Sequence, residues 1–261
     1  MSAPLIAIWS PKGGVGKSLL AAGLAVAISR RCAGEVLLAD LDGGKADLAP
    51  LLQAARHPSI LEFGGERLRT LAHPSGIRLL PGPVRLTEEA LVTGPLVDSV
   101  LTAAVASHAA VVADLDSDLR EPTAVALSRA DAVLLVTTPD LLAIYALRRF
   151  VQEAMAEGVD LSPYRLVINR SSEQQGIPEK EILELLEVEL AGRLPSLPGL
   201  AAAINRGMLS AALRSDTDFA RAVDGIADAL QFAGIPQQVW SSVPGPRPAG
   251  LIQALRRWWR R

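Results

Sequence analysis

Largely apolar runs of strand length recur along this chain, at Leu5–Trp9, Val36–Ala39, Ile77–Leu80, Ala109–Ala113, Ala132–Val136 and Arg165–Ile168, with a single arginine in the third and the last. Runs of that length without polar alternation are the pattern of strands buried on both faces. Between most of them lie longer stretches with helical spacing: Ser18–Arg31, Pro95–Ser107, Glu121–Ala130, Leu141–Glu157 and Pro178–Leu190, with a last one at Asp218–Phe232. Strands alternating with helices predict an α/β fold, a mostly parallel central sheet with helices on both faces. Such sheets bind ligands at the carboxyl ends of their strands, so polar residues just after each run are the first functional candidates.

The pattern breaks late. Gly234-Ile235-Pro236 and the Pro/Gly-rich stretch to Gly250 read as a linker, and a short segment of different character follows. The expected organisation is a single domain over residues 1–235, a linker over 236–250 and a tail over 251–261. The longest apolar stretch, Leu19 to Ile28, contains Gly23 and is far shorter than the ~20 residues of a membrane-spanning helix. Met1-Ser2-Ala3-Pro4 carries no basic residue of an export signal, so a cytoplasmic location is the expectation.

Composition narrows the chemistry. The single cysteine, Cys32, excludes an intramolecular disulfide and any multi-thiolate metal site built from this chain alone. His57, His73 and His108 have no ligand-like spacing. The 26 basic and 28 acidic residues nearly balance, which argues against a generic nucleic-acid binder. That average hides a division: residues 247–261 hold five arginines and no acid, leaving 21 basic and 28 acidic residues, a net −7, in residues 1–246. Only four basic residues are lysines, Lys12, Lys17, Lys45 and Lys180.

Two of those lysines stand in the segment that carries the strongest chemical signal. Ser10-Pro11-Lys12-Gly13-Gly14-Val15-Gly16-Lys17-Ser18 follows the first strand and opens the first helix. Glycines let such a loop turn its N–H groups toward phosphate oxygens, and the new helix adds the positive end of its dipole. In that setting Lys17 reaches the outer phosphates and the Ser18 hydroxyl ligates Mg²⁺. Further on, Val111-Val112-Ala113 ends in Asp114, the pattern of an aspartate that holds Mg²⁺ through water.

The Lys-Gly-Gly-x-Gly-Lys-Ser pattern, with Pro11 where the usual first glycine stands, resembles the deviant phosphate loop of the MinD/ParA family of dimerising ATPases. The resemblance runs over roughly residues 3–232. It implies a P-loop NTPase fold, ATP and Mg²⁺ as cofactors, and nucleotide contacts from Lys12, Gly13, Gly14, Val15, Gly16, Lys17 and Ser18. It also implies that Lys12 crosses a dimer interface to the partner's nucleotide. Of the acids in Asp40-Leu41-Asp42, it puts Asp40 near the Mg²⁺ shell and makes Asp42 position the attacking water; a solvated turn is the plainer use of that segment. Asn169, followed by Arg170, matches the strand-end residue that reads the base. An amide offers the donor and acceptor an adenine edge requires, but Asn also serves as a loop cap. Pro195 falls where the family packs a loop against adenine.

This chain also departs from the family. Where a proline is usual two residues after Asp114, it has Leu115-Asp116-Ser117-Asp118-Leu119-Arg120, which bears on hydrolysis more than on binding. The segments Asp40–Asp42, Asp47–Leu52, Thr137–Leu141, Val167–Arg170, Gly176–Ile182 and Ala203–Gly207 are similar to those of CpaE/TadZ-like pilus-assembly ATPases.

The tail sorts cleanly at about 100° per residue. Leu251, Ile252, Leu255, Trp258 and Trp259 share one arc, and Arg256, Arg257, Arg260 and Arg261 lie opposite with Gln253. A basic amphipathic helix with tryptophan on its apolar face suits an anionic membrane surface, and docking on the protein's own core or on a partner is the alternative. Together these features lead us to expect a MinD-like ATPase on the inner face of the cell membrane. It would dimerise on ATP, answer to an activating or cargo protein, and position a pilus, flagellum or division site. A DNA-binding segregation ATPase, less expected for an acidic body, would use Arg193, Arg206, Arg214 and Arg221 as its stripe. A non-hydrolysing ATP-binding scaffold is the remaining alternative.

Overall fold

The computed structural model describes residues 3–65, 67–171, 176–206, 209, 213 and 217–232. The linker and the tail over 236–261 therefore lie outside the described residues, as do Gly207 and Arg214. The expected parallel architecture is present. One eight-stranded sheet is built from β1 (Leu5–Trp9), β2 (Val36–Leu41), β3 (Leu71–Ala72), β4 (Arg78–Leu80), β5 (Ala110–Leu115), β6 (Ala132–Thr137), β7 (Tyr164–Ser171) and β8 (Leu190–Pro195). Its order is β3-β4-β2-β5-β1-β6-β7-β8, and every neighbouring pair is parallel except β3 with β4.

Alternation along the central strand creates two cores. Leu5, Ala7 and Trp9 enter one layer, against α3 (Gly94–Ser107), α4 (Glu121–Arg129), α5 (Leu141–Ala156) and α6 (Glu179–Leu186). Ile6 and Ile8 enter the other, against α1 (Lys17–Ser29) and α8 (Asp218–Phe232). Among the described residues the remaining α-helices are short, α2 (Leu48–Leu51) and α7 (Pro198–Asn205). A strand that feeds two cores must be apolar at every position, which is why the runs show no alternation. Among the described residues no helix is long and apolar enough to cross a membrane.

Two sheet elements depart from the sequence pattern. The helix expected over Pro178–Leu190 ends at Leu186, where Glu187 takes a left-handed conformation (φ 53°). The chain then continues as β8, pairing with β7. With Gly192 and Arg193 among its residues, Leu190-Ala191-Gly192-Arg193-Leu194-Pro195 lacks an apolar run, and its pairing with β7 is what makes it a strand. The two-residue β3 is likewise defined only by its partner.

Sheet order positions the chemistry. Because β1 lies between β5 and β6, the loop after β1 opens beside the ends of both. On the far side of β5, β2 runs in register so that Asp40 stands directly across from Asp114.

Candidate functional site

The loop between β1 and α1 is shaped by two left-handed glycines, Gly14 (φ 78°) and Gly16 (φ 99°). Gly16 has a second reason to lack a side chain. A Cβ there would fall 2.2 Å from Asn169 Nδ2. Asn169 instead braces the loop, donating from Nδ2 to the Val15 carbonyl at 2.7 Å and accepting from Arg170 N at 2.8 Å. Arg170 adds a contact from its guanidinium to the Gly14 carbonyl at 3.1 Å. In this arrangement Asn169 and Arg170 brace the loop. Pro195 ends β8 opposite Ser171 of β7, at the same edge of the sheet.

Lys17 is the first residue of α1 and only 8% exposed. Burial lowers its pKa, and the carboxylates of Asp114 and Asp42 oppose that shift. Its Nζ donates to Ser117 Oγ at 2.6 Å, so the residues after Asp114 reach back to the phosphate loop. The rest of that loop is tied down by Arg120, which donates to Asp116 Oδ2 at 2.6 Å and pairs with Glu89. The sequence marked this loop as altered without assigning these contacts, and its partners Lys17 and Glu89 lie far away in the chain.

The three acids divide their work. Asp40 is fully buried; its Oδ1 accepts from Asp42 N at 3.2 Å and its Oδ2 from Leu48 N at 3.0 Å. Burial and the neighbouring Asp114 raise its pKa well above the usual carboxylate range. Its oxygens thus organise the loop after β2. Asp42 Oδ1 accepts from Gly44 N at 3.0 Å and Lys45 N at 2.9 Å, and burial raises its pKa as well. Asp114 differs from both. Burial pushes its pKa up to about 7, a rise that the nearby Ser18 hydroxyl opposes, yet its buried Oδ1 has no hydrogen-bond partner.

A buried carboxylate oxygen left without a partner costs free energy unless a ligand supplies one. Among the described residues no group of three acidic, histidine or cysteine side chains could hold a metal by itself. That suits Mg²⁺, which keeps several waters and binds through one or two carboxylates together with substrate phosphates. Ser18 and Asp114 fit the ion, with Asp40 behind Asp114. When bound, Mg²⁺ would neutralise charge on the outer phosphates.

Lys12 lies exposed on the rim of the loop, near enough to Asp140 to act on its carboxyl. Asp140 caps α5, accepting from Ala143 N at 3.0 Å. The first turn of that helix presents Leu141, Leu142 and Tyr145 to solvent, at 68%, 65% and 65% exposure. Lys45 approaches the loop from the other side. Its Nζ is 3.7 Å from where a Cβ on Gly13 would stand. The sequence offered one signal for it, the scarcity of lysine.

Residues 6–210 match the family model described as the CobQ/CobB/MinD/ParA nucleotide binding domain. The chain belongs to this MinD/ParA family. It is 26% identical over 262 residues to an uncharacterised ATP-binding protein of Methanocaldococcus jannaschii, covering 98% of each chain. It is also 26% identical over 216 residues to the septum site-determining protein MinD of Synechocystis, covering 78% of this chain and 80% of that one. Among solved structures, MinD of Pyrococcus horikoshii complexed with Mg-ADP superposes with a TM-score of 0.75 at 18% identity. That match covers 92% of this chain and 100% of that chain. The last likeness shows that the two share the MinD/ParA fold.

Proposed function

We propose that this MinD/ParA-family protein is a MinD-like ATPase that hydrolyses ATP to ADP and phosphate with Mg²⁺. The observation that carries this reading is the meeting of Lys17, Ser18, Asp42 and Asp114 around one glycine loop, with a buried Asp114 oxygen left for a ligand. Loop N–H groups and Lys17 bind the phosphates, and Asn169 and Arg170 hold the loop in shape. Asp42 orients the attacking water, for which placement counts more than a shifted pKa. The ATP-binding relative and the Mg-ADP complex of a protein with the same fold support this choice of ligand.

The ATP-bound form is a dimer, in which Lys12 touches the partner's nucleotide. Its exposure beside the apolar Leu141, Leu142 and Tyr145 supports an interface on that face. The protein is cytoplasmic and attaches to the inner membrane surface through residues 251–261. Each arginine near an anionic leaflet contributes on the order of 1 kcal/mol, so one tail binds weakly. Two tails on one dimer bind far better, because the second acts at high effective concentration. Attachment therefore follows the nucleotide state and places the protein where a pilus, flagellum or division site is assembled, as CpaE/TadZ-like and MinD-like proteins would.

Sedimentation with anionic liposomes tests this. ATP should increase binding over ADP, and removal of residues 251–261 should abolish it. Equal binding with either nucleotide, or by the shortened protein, would reject the membrane cycle.

DNA binding has less support. Arg193 is paired with Glu179 and Arg221 with Asp218, so two of the four arginines of the expected stripe already have acidic partners. A non-hydrolysing ATP-binding scaffold is suggested by the altered loop after Asp114, in which Ser117 takes one hydrogen bond from Lys17. Bound ATP without turnover, in the presence of lipid, would select that reading.

A further inference from the structure

Three of the four lysines in this chain converge on the phosphate loop. Lys17 lies within it and Lys12 on its rim, and Lys45 arrives from the loop after β2. The Lys45 ammonium and Ser117 Oγ approach the same point, 3.7 and 3.8 Å from where a Gly13 Cβ would stand. Ser117 in turn accepts the hydrogen bond from Lys17. Two ammonium groups thus stand at the mouth of the loop, close enough for Lys45 to oppose the charge on Lys17.

Like charges held this near each other cost free energy, and an anion between them reverses the sign. Lys45 is exposed and makes no salt bridge among the described residues, although Asp42 is near enough to feel its charge. The backbone that carries it is nonetheless fixed. Asp42 Oδ1 accepts from the backbone of Gly44 and Lys45, and Ala46 takes a left-handed conformation (φ 48°) immediately after. A chain that uses arginine almost everywhere else places here the compact ammonium, a point charge suited to a phosphate oxygen.

We propose that Lys45 is a further phosphate-binding residue, which reaches over the phosphate loop to the terminal phosphate of ATP and with Lys17 neutralises its charge. This rests on the nucleotide reading above. Lys45 and Asp42 share one turn, so a terminal phosphate held by Lys45 also sets the carboxylate that orients water. ADP, lacking that phosphate, leaves the turn unengaged. Lys45 is therefore the group by which the loop after β2 distinguishes the two nucleotides.

The experiment compares binding of the β,γ-imido analogue of ATP and of ADP, each with Mg²⁺, to the full chain and its variants. Loss of one charge-assisted hydrogen bond corresponds to about a ten- to hundredfold weaker analogue affinity in Lys45→Ala. ADP affinity should change less than about twofold. Lys45→Met, which keeps the stem without the charge, should show the same loss, and Lys45→Arg should restore part of it. Unfolding midpoints of the nucleotide-free variants should match the parent, since the side chain is exposed. Unchanged analogue affinity in Lys45→Ala, or an equal loss for analogue and ADP, would overturn the proposal. If the parent protein binds neither nucleotide, the nucleotide reading fails and this one with it. Lys17→Ala, by contrast, should lose both ligands.

Discussion

At the scale of single residues, burial sets the proton affinity of Asp114 before any partner does. The side chain is 2% exposed, its pKa stands at about 7, and the Ser18 hydroxyl and Lys17 only moderate the rise. The unfolded chain would titrate this group near ~3.9. Between those values the folded state holds a proton that the unfolded state has lost, so stability falls as pH rises from ~4 through about 7 and is level above. About three units at ~1.4 kcal/mol each set an upper magnitude near ~4 kcal/mol, and Asp40 acts in the same direction. Denaturant unfolding of the nucleotide-free protein should therefore show lower stability at about pH 8 than at about pH 5. Asp114→Asn should remove most of that difference, and a level wild-type profile would mean the carboxyl ionises freely in the fold. The position of Asp114 was legible in sequence because an acid ending a fully apolar run must emerge at a strand end. Its orphan oxygen was not, since that depends on what surrounds it.

At the scale of elements, α8 packs on both the edge strand β8 and α1. Phe219 is almost fully buried, and its ring lies 3.1 Å from where a Cβ on Gly23 would stand. Gly23, which interrupts the apolar run of α1 in sequence, is thus the notch that receives this ring. Phe219→Ala should cost about 3–5 kcal/mol by opening a cavity. A urea midpoint unchanged from the parent would show that α8 is not packed in this way. The phosphate loop contrasts with this helix pair, since its support comes from β7 rather than from its own neighbours. Gly16→Ala would both strain a φ of 99° and drive a methyl into Asn169. Loss of nucleotide binding in a folded protein is the outcome expected, and retained affinity would show that the loop does not need the brace. The helices and the long strands could be read from periodicity because each carries its own signal. Where the expected helix 178–190 gives way to β8, local preference was overruled by hydrogen bonding to β7.

At the scale of the whole molecule, charge and shape point the same way. The near-neutral total separates into an acidic body and an arginine-rich tail, and the nucleotide face carries Lys12 next to three exposed apolar side chains. If that face joins two copies, Lys12→Ala should bind ATP as a monomer and fail to form the ATP-dependent dimer in sedimentation velocity. A dimer of wild-type strength would place the interface elsewhere. By itself the sequence determined the alternation of strand and helix, the glycine loop with Lys17 and Ser18, and the acids at the strand ends. Each of these is written in consecutive residues, where backbone sterics and burial act locally. Only the tertiary structure decided which of those residues meet. Lys17 finds Ser117 across 100 positions and Asn169 finds Val15 across 154. Those meetings depend on β5 being inserted between β1 and β2 and on β7 standing beyond β6, an order chosen by the packing of two cores. Lys45 shows the division most clearly: its rarity could be counted in the sequence, but its place above Gly13 exists only in the fold.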